Sequence, residues 1–208
     1  MKVKFNQNII HFKEIESTNS YSMKLIKENK LLYPIVIVAD FQSRGQGQRE
    51  NNWKSEKGKN LLLSLIMNDE MDIANQFDLN VIISLSLIDL LNQLGINNVS
   101  VKWPNDILVG NKKIAGMLIQ NKIKKNKIIH EVIGIGLNVN QEIFFEFCRE
   151  ATSIKNEKFI SSEINKILNS LLSFIEKRYS EYIETKECNL DEYIENLYLK
   201  NKVATFEI

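Results

Sequence analysis

Hydrophobic positions along this chain change their spacing from segment to segment, and the changes mark out its elements. Ser17, Thr18 and Asn19 stand before Tyr21, Leu25, Ile26 and Leu32, which recur at roughly helical spacing, so the pattern predicts a capped amphipathic helix ending near Lys30. Pro34 then opens Ile35-Val36-Ile37-Val38-Ala39, a β-branched run that predicts a buried strand feeding a long polar loop over 42–58. Residues 60–67 predict a second strand, and 74–94 a helix closed by Gly95. Strand character returns over 99–109, where Pro104 marks a kink or an edge, and Gly110-Asn111 predicts a hairpin turn into 113–120. A lysine-rich turn leads to another strand at 128–139. Beyond Gln141 the spacing is helical, clearest over 164–183, and 203–208 has the pattern of one terminal strand. Antiparallel hairpins with helices set apart from them predict an α+β fold rather than a doubly wound parallel sheet. No internal repeat or low-complexity linker interrupts the chain.

At 208 residues the chain is long enough for one main core with a small appendage. Its hydrophobic fraction of 44% and charged fraction of 25% are those of an ordinary globular protein, which excludes disordered and fibrous classes. A net charge of +1 gives no global signature of polyanion binding, although residues 102–127 carry seven lysines against the single acid Asp106. Cys148 and Cys188 are far apart and match no metal-ligand spacing, so no metal site is expected. The chain opens without a charged-then-apolar leader pattern, and a cytoplasmic location is expected. The longest apolar runs are broken by Ser, Asn or Asp before the roughly 20 residues needed to span a bilayer, so no membrane partner is expected.

Candidate chemistry concentrates in three segments, which hold Gly45, Gly47, Gly116, Gly134 and Gly136, five of the eight glycines. Gly45-Gln46-Gly47 follows a strand and can turn successive N–H groups toward a phosphate or carboxylate, or can form a plain surface loop. Two of only four arginines, Arg44 and Arg49, lie in that loop, and the guanidinium fork suits either anion. Trp53 follows, placed either to stack on a base or to peg the loop to the core. The second segment runs Lys102-Trp103-Pro104-Asn105-Asp106 and on to Lys112-Lys113-Ile114-Ala115-Gly116. Lys, Asn and Asp in an otherwise buried strand pattern must satisfy one another or a ligand, since unpaired burial costs several kcal/mol. A lysine there can lower the repulsion between a carboxylate and an α-phosphate; alternatively these lysines guard a solvated hairpin edge. The third segment, Gly134-Ile135-Gly136-Leu137-Asn138-Val139-Asn140, offers asparagines to read a base edge or to cap a turn.

Taken in order, Glu16-Ser17-Thr18-Asn19, the 42–53 loop, Lys102 to Asp106, Lys113-Ile114-Ala115-Gly116 and Gly134 to Asn140 resemble the catalytic domain of biotin protein ligases over about residues 14–154. The most specific feature is KWPND followed seven residues later by KxAG. The resemblance implies a mixed, largely antiparallel sheet covered by helices, related to class II aminoacyl-tRNA synthetases and to lipoate ligases. It implies a catalytic domain over 1–195, with 196–208 a remnant of the family's small C-terminal β-domain. With the first motif at Ser17 there is no space before it for a winged helix, so no DNA partner is expected.

The implied activity is ATP-dependent formation of biotinyl-5'-AMP, then transfer of biotin to a lysine of a biotin carboxyl carrier protein, with Mg2+ as counter-ion and a homodimer as a possible assembly. By the same resemblance Ser17, Thr18, Asn19 and Gln42 would surround the ureido ring. Lys113, assisted by Lys102, would meet the carboxylate and α-phosphate. Trp53 and Asn138 would hold the adenine, and Asp106 would orient Lys102 or the acceptor lysine. Gly45, Gln46, Gly47, Gln48 and Arg49 would form the phosphate side, and Gly116 the close-packed strand beside it. The family pattern GRGRxGRxW reads Gly45-Gln46-Gly47-Gln48-Arg49-Glu50-Asn51-Asn52-Trp53 here, replacing three arginines by amides, and the family's later acidic residue is Gln120. A lipoate or octanoate ligase or transferase is the near alternative, and a non-catalytic ligand- or nucleic-acid-binding module the distant one.

Overall fold

The computed structural model describes residues 4–28, 34–48, 51–144 and 150–203. Their elements are β1 (Ile9–Phe12), α1 (Thr18–Glu28), β2 (Ile35–Ala39), β3 (Leu61–Met67), β4 (Met71–Asp72), α2 (Gln76–Gln93), β5 (Val99–Lys102), β6 (Asp106–Val109), β7 (Lys112–Lys124), β8 (Lys127–Leu137), α3 (Ile154–Lys158), α4 (Ile164–Thr185) and α5 (Leu190–Glu195). All eight strands join one sheet in the order β1-β2-β3-β8-β7-β6-β5, with β4 also pairing β8. Only β1 and β2 run parallel; every other named pair is antiparallel. The α+β architecture and the largely antiparallel sheet expected above are therefore present.

Burial on both faces explains the unbroken apolar runs of β2 and β3, every residue of which is buried. One face carries the main core, where Leu61, Leu63 and Leu65 of β3 and Ile133, Ile135 and Leu137 of β8 meet α2 and α4. The other face packs Ile35, Ile37, Ile66 and Val132 against Ile26 of α1. Ser17 caps α1 as predicted, its Oγ accepting the Ser20 N–H at 3.3 Å. Ile73–Gln93 is long and apolar enough to cross a membrane by length and composition, contrary to the expectation that no run is; here it packs against α4, β5 and β6. The predicted strand over 99–109 is two strands, because residues 103–105 form a turn and Pro104 sits in it rather than at a kink. Short β1 and β4 carry no sequence signal strong enough to predict. The predicted helix end at Lys30 and most of the terminal strand over 203–208 lie outside the described residues, while Asn196 O and the Tyr198 N–H pair with Val101 at the β5 edge.

Glu131 is an anomaly in this core. It is 1% exposed, and neither carboxylate oxygen has a hydrogen-bond partner among the described residues. Burial, and secondarily the charge of Asp69, pushes its acid up to about 7. Asn121, directly opposite it in the β7–β8 register, also has a buried Oδ1 with no partner among the described residues. Between the unfolded value near 4.5 and about 7 the folded chain keeps a proton that the unfolded chain releases, so stability falls as pH rises through this window and the penalty is complete above it. Glu131→Gln is expected to raise stability at pH 8 by about 1–3 kcal/mol and to flatten the pH dependence between 5 and 8. Urea unfolding at several pH values checks this, and an unchanged slope in the variant would contradict it.

Candidate active site

Three glycines in adjacent strands strip side chains from the middle of the sheet. Gly116 of β7 pairs with Gly136 of β8, and Gly134 lies two residues further along β8. A Cβ at Gly134 would overlap Asn19 Oδ1, one at Gly136 would stand 2.5 Å from the Trp53 ring, and one at Gly116 would stand 2.9 Å from Lys113 Nζ. The bare backbone is thus a trough in which Asn19, Trp53 and Lys113 lie, and it floors a cavity of about 580 Å³.

At one end Ser17, Thr18, Asn19 and Gln42 line the wall. Gln42 Oε1 accepts the Thr18 N–H at 2.7 Å and the Thr18 hydroxyl at 3.0 Å. Asn19 Nδ2 donates to Leu118 O and to Gln120 Oε1, both at 3.1 Å. Ser64 Oγ lies 2.8 Å from Thr18 Oγ1 and 2.6 Å from Asn19 Oδ1. This end is therefore neutral, rigid and rich in hydrogen-bonding groups. Ser64 was missed by sequence reasoning, and its signal is a lone hydroxyl in the otherwise apolar run of β3. Gln120, which replaces the family's acid, serves the same network through Asn19.

At the other end stand Lys102, Asp106 and Lys113. Lys113 Nζ is 2.6 Å from Asp106 Oδ1, and both side chains are largely sheltered. Asp106 thus pairs with Lys113, while Lys102, which the resemblance gave Asp106 to orient as an alternative to the acceptor lysine, faces it across the β5–β6 register. The Lys113 ammonium also lies 5.4 Å from the Trp53 ring centroid. Trp53 packs on the β8 backbone with its indole N–H buried and unpartnered among the described residues.

The loop over the cavity brings Gln46, Gly47, Gln48, Asn51 and Asn52 to its lining. Gly45 does not line it. Its carbonyl accepts the Trp53 N–H at 2.9 Å, and the Gly47 N–H donates to Asn51 O at 2.7 Å. The glycines therefore fold the loop back on itself, and the Gly47 N–H is not exposed as an anion cradle would need. Arg49 lies outside the described residues. Arg44 is exposed and pairs with Glu16 at 3.6 Å, away from the cavity. Lys102 and Lys113 are the cations lining the cavity among the described residues. Asn138 does not line it either: its Nδ2 donates to Thr152 O at 2.9 Å and Lys113 O at 3.5 Å, anchoring the strand behind Lys113 rather than facing an adenine. Lys122, Lys124 and Lys127 sit at the distal β7–β8 turn, on the order of 30 Å along β7 from Lys113, and form a solvated hairpin tip. Trp103, Pro104 and Asn105, part of the KWPND segment but given no role of their own from the sequence, also line the cavity mouth.

The Biotin/lipoate A/B protein ligase family matches residues 11–138, more than half of the chain, and that span contains every strand and loop of the cavity. The chain belongs to this family. Among curated relatives, this family member is 27% identical over 180 residues to the bifunctional ligase/repressor BirA of Bacillus subtilis, covering 85% of the chain and 55% of that protein. It is 35% identical over 125 residues to the Escherichia coli BirA, covering 60% of the chain and 38% of that protein. The chain thus spans about half the length, or less, of these relatives. Among solved structures, the Aquifex aeolicus biotin protein ligase in complex with biotin and ATP superposes with a TM-score of 0.77 at 27% identity, over 93% of this chain and 79% of that one. The Leishmania major biotin protein ligase in complex with biotin reaches the same TM-score at 24% identity over 97% of this chain and 85% of that one, and so bears on the fold alone.

Proposed function

We propose that this family member is an AMP-forming ligase that activates biotin with ATP and transfers it to a lysine of a biotin carboxyl carrier protein. The observation that carries this reading is one cavity with a neutral hydrogen-bonding end at Thr18, Asn19 and Gln42 and a cationic end at Lys113 and Lys102, joined by a glycine-floored trough. A neutral polar wall suits an uncharged urea, which both donates and accepts. A lipoyl ring carries no N–H donor and no carbonyl acceptor with which to engage that wall.

In the first step a biotin carboxylate oxygen attacks the α-phosphorus of ATP, and the bond to pyrophosphate breaks, its electron pair leaving with pyrophosphate. Lys113 and Lys102 would reduce the repulsion between the two anions as they approach. In the second step an acceptor amine attacks the acyl carbon, an amide forms, AMP leaves with the acyl–oxygen electron pair, and the amine proton passes to solvent. Among the described residues no group of three or more ligating side chains can hold a metal, and the only carboxylate lining the cavity is already paired with Lys113. The residues do not form a site for Mg2+, which would enter as the counter-ion of the triphosphate.

Exchange of labelled pyrophosphate into ATP tests the reading. Biotin should support it far better than lipoate or octanoate, and exchange that responds only to the latter two would replace biotin by lipoate chemistry.

A further inference from the structure

Trp103 is 64% exposed at the mouth of the cavity, flanked in sequence by Lys102 and, beyond the turn, Asp106. Its backbone is fixed from two sides. Asn80 of α2 donates to Pro104 O at 2.8 Å, while Asn105 Nδ2 donates to Met117 O at 3.0 Å and Asn105 O accepts the Met117 N–H at 2.9 Å. A turn held so firmly has no packing need for a large apolar ring that points into water, and the other hairpin turns here carry Gly110-Asn111 and Lys125-Asn126. An exposed indole on an immobile base is, however, a low-entropy anchor for a partner.

The ligase reading supplies the geometry. In that reading the activated acyl group would lie beside Lys113, so an acceptor lysine would reach it only if the acceptor backbone came within one lysine side chain of that point, at the rim where Trp103 stands. We propose that Trp103 is a specificity-determining residue of the transfer step, contacting an apolar side chain beside the target lysine of the carrier protein. This inference rests on the ligase reading. The indole would let the site favour a lysine presented in a matching polypeptide over a free amine, which has nothing to lay against the ring.

The test compares two nucleophiles on the same adenylate: an isolated biotin carboxyl carrier domain, giving the biotinyl amide, and hydroxylamine, giving biotinyl hydroxamate and AMP. Trp103→Ala should lower kcat/KM for the carrier about tenfold more than the rate of hydroxamate formation, a difference of about 1.4 kcal/mol. Trp103→Phe should recover most of the loss. Equal falls for both nucleophiles would place Trp103 in adenylate formation and overturn the proposal, as would no fall for either. Failure of the wild-type chain to make any biotinyl hydroxamate would sink the ligase reading, and the docking role with it.

Discussion

Lys113→Ala is expected to lower adenylate formation by roughly two to three orders of magnitude, the usual cost of removing one positioned charge from a site of developing negative charge. The loss should fall on kcat more than on KM for biotin, because the ureido end is held elsewhere, by Thr18, Asn19 and Gln42. The ion pair adds a second consequence. Without Lys113, Asp106 is left with 17% side-chain exposure and no counter-charge across the 2.6 Å contact, so stability should drop by about 1–2 kcal/mol. Lys113→Arg should restore the stability more than the rate, since the planar fork is bulkier and directs its charge differently. Single-turnover formation of AMP-linked product, with melting measured on the same variants, separates the two effects. A folded Lys113→Ala protein with near wild-type pyrophosphate release would remove Lys113 from the chemistry.

Gly134→Ala should damage the opposite end of the cavity by a steric route. The added methyl would overlap Asn19 Oδ1, and Asn19 cannot yield cheaply because Ser64, Leu118 and Gln120 all hold its amide. Displacing it forfeits up to three hydrogen bonds at about 1 kcal/mol each, and moves a side chain that the ureido ring would meet. The expected result is a stability loss of about 2–3 kcal/mol with biotin affinity reduced at least tenfold. Asn19→Ala combined with Gly134→Ala makes the steric cause visible. If the clash with Asn19 is the mechanism, adding Gly134→Ala to Asn19→Ala should cost little further stability.

The sequence carried the local part of this site and little of its long-range assembly. Clustered glycines at 116, 134 and 136 stood out because β-strands seldom tolerate them, and KWPND with KxAG marked the cationic end. Which side chains fill the glycine trough was not legible, since Trp53 meets Gly136 and Asn19 meets Gly134 across more than 80 residues of chain. For the same reason Ser64 went unassigned, and the pairing of Asp106 with Lys113 was not foreseen beside the two roles the resemblance gave it, orienting Lys102 or the acceptor lysine. For Gly45 and Gly47 an anion cradle and a plain surface loop were both open, because glycine permits either; their hydrogen bonds to Trp53 and Asn51 fold the loop back on itself. In the fold, the Val99 to Val109 segment read as one strand because apolar residues continue on both sides of Pro104; the turn is made by backbone and asparagine contacts to Met117 and Asn80. Strand β1 escaped notice because its four residues form a half-exposed edge with no alternating pattern.

The most direct measurement of the central claim is intact-mass analysis of a biotin carboxyl carrier domain incubated with this protein, ATP and biotin, with lipoate in a parallel reaction. One biotin amide is expected at a single lysine of the carrier, dependent on ATP and absent with Lys113→Ala. An unmodified carrier despite active folded protein, or attachment of lipoate in preference to biotin, would contradict the claim.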